Sequence, residues 1–354
     1  MKKFILFYFI LSQTLLIFGQ NTFRNISIDV TNAQSLNLSE IAEAIFPIPL
    51  EDQDKIQNQN ILLTNEYLFV SSIHSIIQYN LSGKFIRRID CGGYVTDNVT
   101  NDAEKRLLYV PVRDTIKCYD YFGRLKKTYS LKSSSLHCLY NNGFLWVQSY
   151  NIQPDKSFVY IIQKINLTTG VITKLPFEKR KEPYQMENGS LVNISATCRL
   201  TLHDNEVIAS FDFDNTLYRI QSNKVVPVSK EFESSVKIKQ EKVVPLVSWS
   251  INPSAQRNDI WPMKANSFIG DYFFINYRRD NQFYFYLDNL KTGKKYNVSQ
   301  LIDDVFHTDG NCDINSINQN GFFVFVKDQS DIKGDSIGNV LLKSGPVVFI
   351  GKIK

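Results

Sequence analysis

The side chains of this chain that could do chemistry fall at one recurrent place. In order they are His74, Arg113 with Asp114, Tyr150, Asp212 with Asp214, Arg278 with Arg279 and Asp280, and Lys327 with Asp328. Each group ends one apolar run and precedes another, which is the position of a turn between two strands. Guanidinium forks suit carboxylates, phosphates and sugar hydroxyls, and Asp accepts from hydroxyls, so the set fits a polar ligand. Polar turn residues also pair with one another to no further end, and the residue types leave both readings open. Trp249, Trp261 and Tyr184 lie in two long inserts. An aromatic there can stack on a sugar, anchor a partner or clamp its own loop.

Other chemistries have less support. The chain has no His-Glu-x-x-His, and its imidazoles are His74, His137, His203 and His307. His137 and His203 fall on innermost strands, where a hydrogen-bonded structural His is the commoner case. Asp309-Gly310-Asn311-Cys312-Asp313 alternates oxygen ligands as a calcium loop does, yet Ile314 takes the place of the required Gly and no Glu follows at the twelfth position. No cofactor is expected, with calcium as the one candidate ion. The alternative to a binding protein is a metal-dependent hydrolase or lactonase, drawing on Asp212, Asp214 and Asn215 in an axial channel. The five cysteines, Cys91, Cys118, Cys138, Cys198 and Cys312, are odd in number and show no C-x-x-C spacing. Cys138, Cys198 and Cys312 are placed on innermost strands as buried thiols.

The turns belong to a repeat. Residues 76–89 read as two strands around a tight turn at Asn80 to Gly83, where Gly can take a positive φ. The phrase returns at residues 116–125, 163–172, 217–226 and 286–295. Two further apolar runs precede each copy, making four strands, A to D. The anchors Gly83, Gly123, Gly170, Asn223 and Gly293 are spaced by 40, 47, 53 and 70 residues, and a blade of this type needs about 40. The surplus falls at residues 178–196 and 233–264. Both are D-to-A connections, which share a rim with the B-to-C turns, and long loops on one rim of a rigid scaffold are where binding resides. A sixth copy near the C-terminus is one strand short. The strand at residues 26–30 is expected to complete it and so remove an exposed edge. The fold class is thus all-β, a six-bladed β-propeller closed by an N-terminal strand that completes the last blade. Residues 39–44 read as one helical turn, and Pro47 and Pro49 confine residues 45–50 to an edge or strand end.

Of the 354 residues, 43% are hydrophobic, enough to bury a substantial core. Lys2 and Lys3 precede an apolar run from Phe4 to Phe18 and the small Gly19, so residues 1–19 read as a cleaved secretory signal peptide and 20–354 as the propeller. The run is short for a span, and no transmembrane span is expected. No Cys stands beside the cleavage region, so the protein is not expected to be a lipoprotein. It would be a monomer in the periplasm or secreted. Loss of two lysines lowers a net charge of +5 to +3, and acidic residues interrupt both basic runs, which argues against nucleic acid.

The chain resembles the exported six-bladed β-propeller proteins of Gram-negative envelopes, a family catalogued as domains of unknown function. The resemblance is carried by residues 39–44 with Ile48-Pro49-Leu50-Glu51, by Leu81-Ser82-Gly83-Lys84-Phe85-Ile86, by Asp214-Asn215-Thr216-Leu217-Tyr218-Arg219-Ile220, by Leu301-Ile302-Asp303-Asp304 and by the closing residues 345–354. Cys91-Gly92-Gly93-Tyr94 replaces the Gly-Pro-Gly-Glu type of turn that members often carry. The resemblance implies the fold and supplies no catalytic residues. The expected function is therefore non-enzymatic binding of a glycan, small polar ligand or envelope protein. The candidate contacts are Arg113, Asp212, Asp214, Arg278, Arg279, Asp280, Trp249 and Trp261.

Overall fold

Alternation of side chains along each strand gives every blade two apolar faces. In Tyr272–Arg279, Tyr272 and Phe274 turn toward one neighbouring blade, while Phe273 and Ile275 turn toward the other. A computed structural model of the chain describes residues 27–28, 32–51, 61–96, 99–181, 184–185, 191–192, 199–211, 216–227, 233–234, 261–262, 267–279, 282–316 and 321–354. It is a nearly all-β ring of six blades, a β-propeller.

Blade 1 comprises Ile61–Leu63, Tyr67–Ser71, Ser75–Asn80 and Phe85–Asp90 as strands A to D. Blade 2 comprises Thr100–Asp102, Leu107–Val112, Thr115–Asp120 and Leu125–Ser130. Blade 3 has Ser134–Asn141, Phe144–Ile152, Phe158–Asn166 and Ile172–Lys181. Blade 4 has Arg199–His203, Glu206–Ser210, Tyr218–Ile220 and Val225–Pro227. Blade 5 has Ser267–Ile269, Tyr272–Arg279, Gln282–Asn289 and Lys295–Ile302. Blade 6 takes Asn315–Ser316, Phe322–Lys327 and Val347–Ile353 from the C-terminus and Ala42–Pro49 from the N-terminus.

Among the described residues, the buried apolar side chains form six clusters, each shared by two adjacent blades: 1 with 2, 2 with 3, 3 with 4, 4 with 5, 5 with 6, and 6 with 1. That circuit closes the ring without a central core. The repeated turn explains itself in this frame. Asn80, Asp120, Asn166 and Asn289 each accept backbone N–H groups two and three or four residues ahead, and the following Gly takes a φ between 73° and 80°. The Gly also sits against strand D of the preceding blade: a Cβ at Gly83 would collide with the Pro49 carbonyl, and one at Gly123 would come within 3.0 Å of Ile89.

Three expectations change. The strand that completes blade 6 is Ala42–Pro49, antiparallel to Val347–Ile353, not residues 26–30; Ser27–Ile28 pairs instead with Glu233–Ser234. The outermost strand needs no donors on its free side, so Pro47 and Pro49 are tolerated in it. The helical turn is Leu38–Ile41, and residues 42–44 already belong to the closing strand. Cys312 lies in the connection before the innermost strand of blade 6, its N–H bonded to the Leu301 carbonyl at 3.0 Å, and it is fully buried, as is Cys138. Cys198 lies outside the described residues.

Candidate functional site

The B-to-C turn of blade 2 has two residues, Arg113 and Asp114, because Val112 pairs directly with Thr115. Arg113 has φ +53, at the first turn position, where Gly is preferred. Its carbonyl is clamped from blade 3 by the Ser135 N–H at 2.7 Å and the Ser135 hydroxyl at 2.6 Å. The Ser135 and Thr96 hydroxyls lie 3.2 Å apart beside it. The side chain is exposed, and its guanidinium has no hydrogen-bond or ion-pair partner among the described residues. Next along the rim, His74 is exposed at the blade 1 turn with the Tyr94 ring edge-on at 6.3 Å.

Blade 3 stands taller than expected. Residues 178–181, read as the start of an insert, continue strand D in register with Phe158 to Ile161, and Arg180 pairs with Asp155 at the tip. Tyr150 is half-buried on the same strand B, its ring 5.2 Å from Phe158, so it packs rather than projects. In blade 5, Trp261–Pro262 pairs with Tyr277 and Arg278, which places Trp261 opposite Arg278 and extends the sheet toward the rim. Arg279 ends strand B of that blade. Asp212, Asp214, Asp280 and Trp249 lie outside the described residues.

Lys327 turns inward. It is 3% exposed, and its ammonium donates to the carbonyls of Asp309 at 2.6 Å and Asn311 at 2.9 Å. Those carbonyls belong to the loop with calcium-like spacing, so a side chain of the protein supplies the positive charge they face. No group of three His, Cys, Asp or Glu is placed to hold a metal among the described residues.

Gly334-Asp335-Ser336-Ile337-Gly338 has the spelling of a nucleophile elbow. Its context differs: Ser336–Ile337 pairs with Val340–Leu341 in a short hairpin, whereas the elbow needs a strand-to-helix turn. The hairpin belongs to the 19 residues between Lys327 and Val347, a B-to-C connection whose length is countable in the sequence and outside the five turn anchors. Three thiols are poor nucleophiles: burial pushes Cys91 and Cys118 up to about 11 and Cys312 up to about 12, so they stay protonated at neutral pH.

Below the rim, buried polar groups gather on blade 3, with Gln148 and His137 facing blade 4 and Gln163 facing blade 2. Gln148 donates to the Ser210 carbonyl at 3.1 Å, and Gln163 donates to the Ser133 and Ser149 hydroxyls at 2.6 and 2.8 Å. His137 pairs in register with Gln148 and is 2% exposed. Burial, with the Arg199 charge adding to it, pushes its imidazole down to about 3. The folded protein then carries fewer protons than the unfolded chain between that value and the ordinary pKa near 6.5. Stability is expected to fall as pH drops below about 6.5, with a slope from this group of at most about 1.4 kcal/mol per pH unit. Urea titrations from pH 7 to pH 4 on wild type and His137→Gln measure it, and the variant should lose that part of the slope.

The fold has known counterparts. An exported protein, as its name describes it, from Bacteroides fragilis aligns over 93% of this chain and 99% of its own, with a TM-score of 0.61 and 16% identity. A member of the DUF4221 family from Bacteroides vulgatus aligns over 88% of this chain and 97% of its own, with a TM-score of 0.51 and 8% identity. At such identities the likeness is one of fold. No curated protein matches the sequence. The sequence pattern of DUF4934, a domain of unknown function, runs through residues 23–339, and the chain belongs to that family.

Proposed function

We propose that this propeller is a non-enzymatic binding module of the periplasm or cell exterior. It takes a polar ligand, glycan or protein at the rim of its B-to-C turns and D-to-A inserts. The observation that carries the reading is Arg113, an exposed fork at φ +53 with its carbonyl clamped by Ser135 and its guanidinium without a partner among the described residues. A left-handed L residue costs about 1–2 kcal/mol, and strain of this kind collects where a side chain is kept for its function. Asp212, Asp214, Arg278, Arg279, Asp280, Trp249 and Trp261 complete the proposed surface. The Lys2 and Lys3 leader supports export, as does the exported name of the Bacteroides fragilis counterpart. No helix among the described residues is long and apolar enough to cross a membrane.

Arg113→Gly tests this directly, because strain and binding then move in opposite senses. The variant should gain about 0.5–1 kcal/mol of stability, the relief of φ less the extra freedom of Gly when unfolded. It should lose the response to ligand. Thermal unfolding against sugars, glycan fragments and small acids reads both, since ligand a hundredfold above its dissociation constant stabilises by about 2.7 kcal/mol. An undiminished ligand shift in Arg113→Gly overturns the assignment.

A further inference from the structure

The A-to-B and C-to-D turns leave the ring on the face opposite the B-to-C turns, because successive strands alternate direction. On that face, blades 1 to 3 share a composition the fold does not require. Around their C-to-D turns, Leu81, Phe85, Phe122, Leu125 and Val171 are 44, 39, 49, 53 and 58% exposed. Cations lie between them. Lys84, Arg124, Lys126 and Lys127 are exposed, and the Arg106 and Arg124 guanidiniums stand 5.5 and 5.3 Å from the Phe122 ring. Arg87 donates to the Phe122 carbonyl at 2.6 Å. Among the carboxylates of this face, Glu66 pairs with Arg106, Asp120 with Arg124 and Lys126, and Glu51, which accepts the Phe85 N–H, with Lys343, while Glu104 stands exposed on the A-to-B turn of blade 2.

The charge is concentrated. Residues 80–87, 120–127 and 166–174, the parts of these hairpins nearest the C-to-D turns, hold six basic side chains and one acidic, while the rest of the chain holds thirty-four of each sign. The blade 5 turn marks the contrast, since Lys294 and Lys295 occupy the places of Lys84 and Phe85. Apolar tips are therefore not a demand of the turn.

We propose that the C-to-D face of blades 1 to 3 docks the protein on an anionic lipid bilayer. A bilayer satisfies both halves of the surface: phosphates for the Lys and Arg heads, and the headgroup–acyl boundary for Leu81, Phe85, Phe122, Leu125 and Val171. A soluble polyanion would leave the apolar tips in water. A folded protein partner would have to match the shape of three separate turns at once, whereas a fluid bilayer conforms to them. Docking by this face leaves the Arg113 rim pointing away from the lipid, so the two surfaces operate independently.

The test is co-sedimentation of the mature full chain with vesicles of phosphatidylglycerol mixed with phosphatidylcholine, of phosphatidylcholine alone, and with soluble polyphosphate. Binding to the mixed vesicles alone is expected, weakening as salt rises. Each cation near an anionic surface is worth about fivefold in binding, so Arg124→Glu with Lys127→Glu should reduce partitioning well over tenfold. Phe122→Ser with Leu125→Ser should reduce it several-fold at unchanged charge. Phe122→Trp should show a blue-shifted emission on anionic vesicles. Variants with wild-type circular dichroism melts are compared, which separates binding from folding. Sedimentation with neutral vesicles to the same extent overturns the proposal, as does none with anionic ones. Polyphosphate binding that ignores the Phe122 and Leu125 changes would assign the face to a soluble polyanion and also overturn it.

Discussion

Gly351→Ala is expected to destabilise the propeller by about 3 kcal/mol or more, the upper range for overpacking a core. Gly351 lies on strand C of blade 6, opposite Phe323 on strand B and Ile45 on the closing strand. A Cβ there would fall against Phe323 Cζ and both Cε atoms, far within van der Waals contact. The ring has nowhere to go. Phe323 is fully buried and begins a stack in which Phe325 lies 6.5 Å away, Phe349 a further 4.5 Å and Phe306 a further 5.7 Å. Against a total stability of about 5–15 kcal/mol, such a loss removes much of the margin. The urea midpoint should fall at constant m-value. Phe323→Leu in the Gly351→Ala background should recover part of it, as a double-mutant cycle requires of groups in contact. Additive losses in the cycle would mean that the ring does not cover Gly351.

Starting the chain at Glu51 should abolish the cooperative native state. The removed segment supplies strand D of blade 6 and a parallel strand, Gln34–Asn37, along the outer edge of blade 5. Leu36, Leu38, Ile41, Ile48 and Leu50 are 2, 0, 0, 7 and 0% exposed. Five such side chains, at about 1.5–3 kcal/mol each, amount to the order of 10 kcal/mol, comparable to the whole stability of a domain. Polar ties are lost as well: Ser39 N–H to Asp304 at 2.9 Å, Lys354 N–H to the Ile41 carbonyl at 2.9 Å, and Leu50 N–H to the Pro346 carbonyl at 3.0 Å. The truncated chain would expose Val347–Ile353 as an edge and should aggregate. A synthetic peptide of residues 32–50 added during refolding should restore a sharp melt. A truncated chain that melts like wild type would show that the ring closes without its N-terminal strand.

Together these two results would separate the scaffold from the surfaces proposed for it. Gly351 and the closing strand set whether the ring exists, while Arg113 lies on a turn whose backbone is held by the neighbouring blade whatever its side chain does. A change at Arg113 should therefore leave the unfolding transition cooperative.

Much of the architecture was legible because it is local and repeated. An Asn or Asp followed by Gly specifies a turn through a side-chain acceptor and a positive φ. Alternating apolar residues specify strands with two buried faces, and the count of such units specifies six blades. What depended on long-range pairing was not legible. Residues 26–30 and 42–49 both read as extended segments, and only the geometry of the blade 6 edge selects Ala42–Pro49. Lys327 and Arg113 read alike, as cations in B-to-C turns. Packing sends the Lys327 ammonium inward onto two carbonyls of a distant loop, while a Ser clamp from the next blade holds Arg113 outward at a strained φ. A residue type names the chemistry a side chain can offer; the direction in which it is offered is set by neighbours remote in sequence, which only the folded ring brings together.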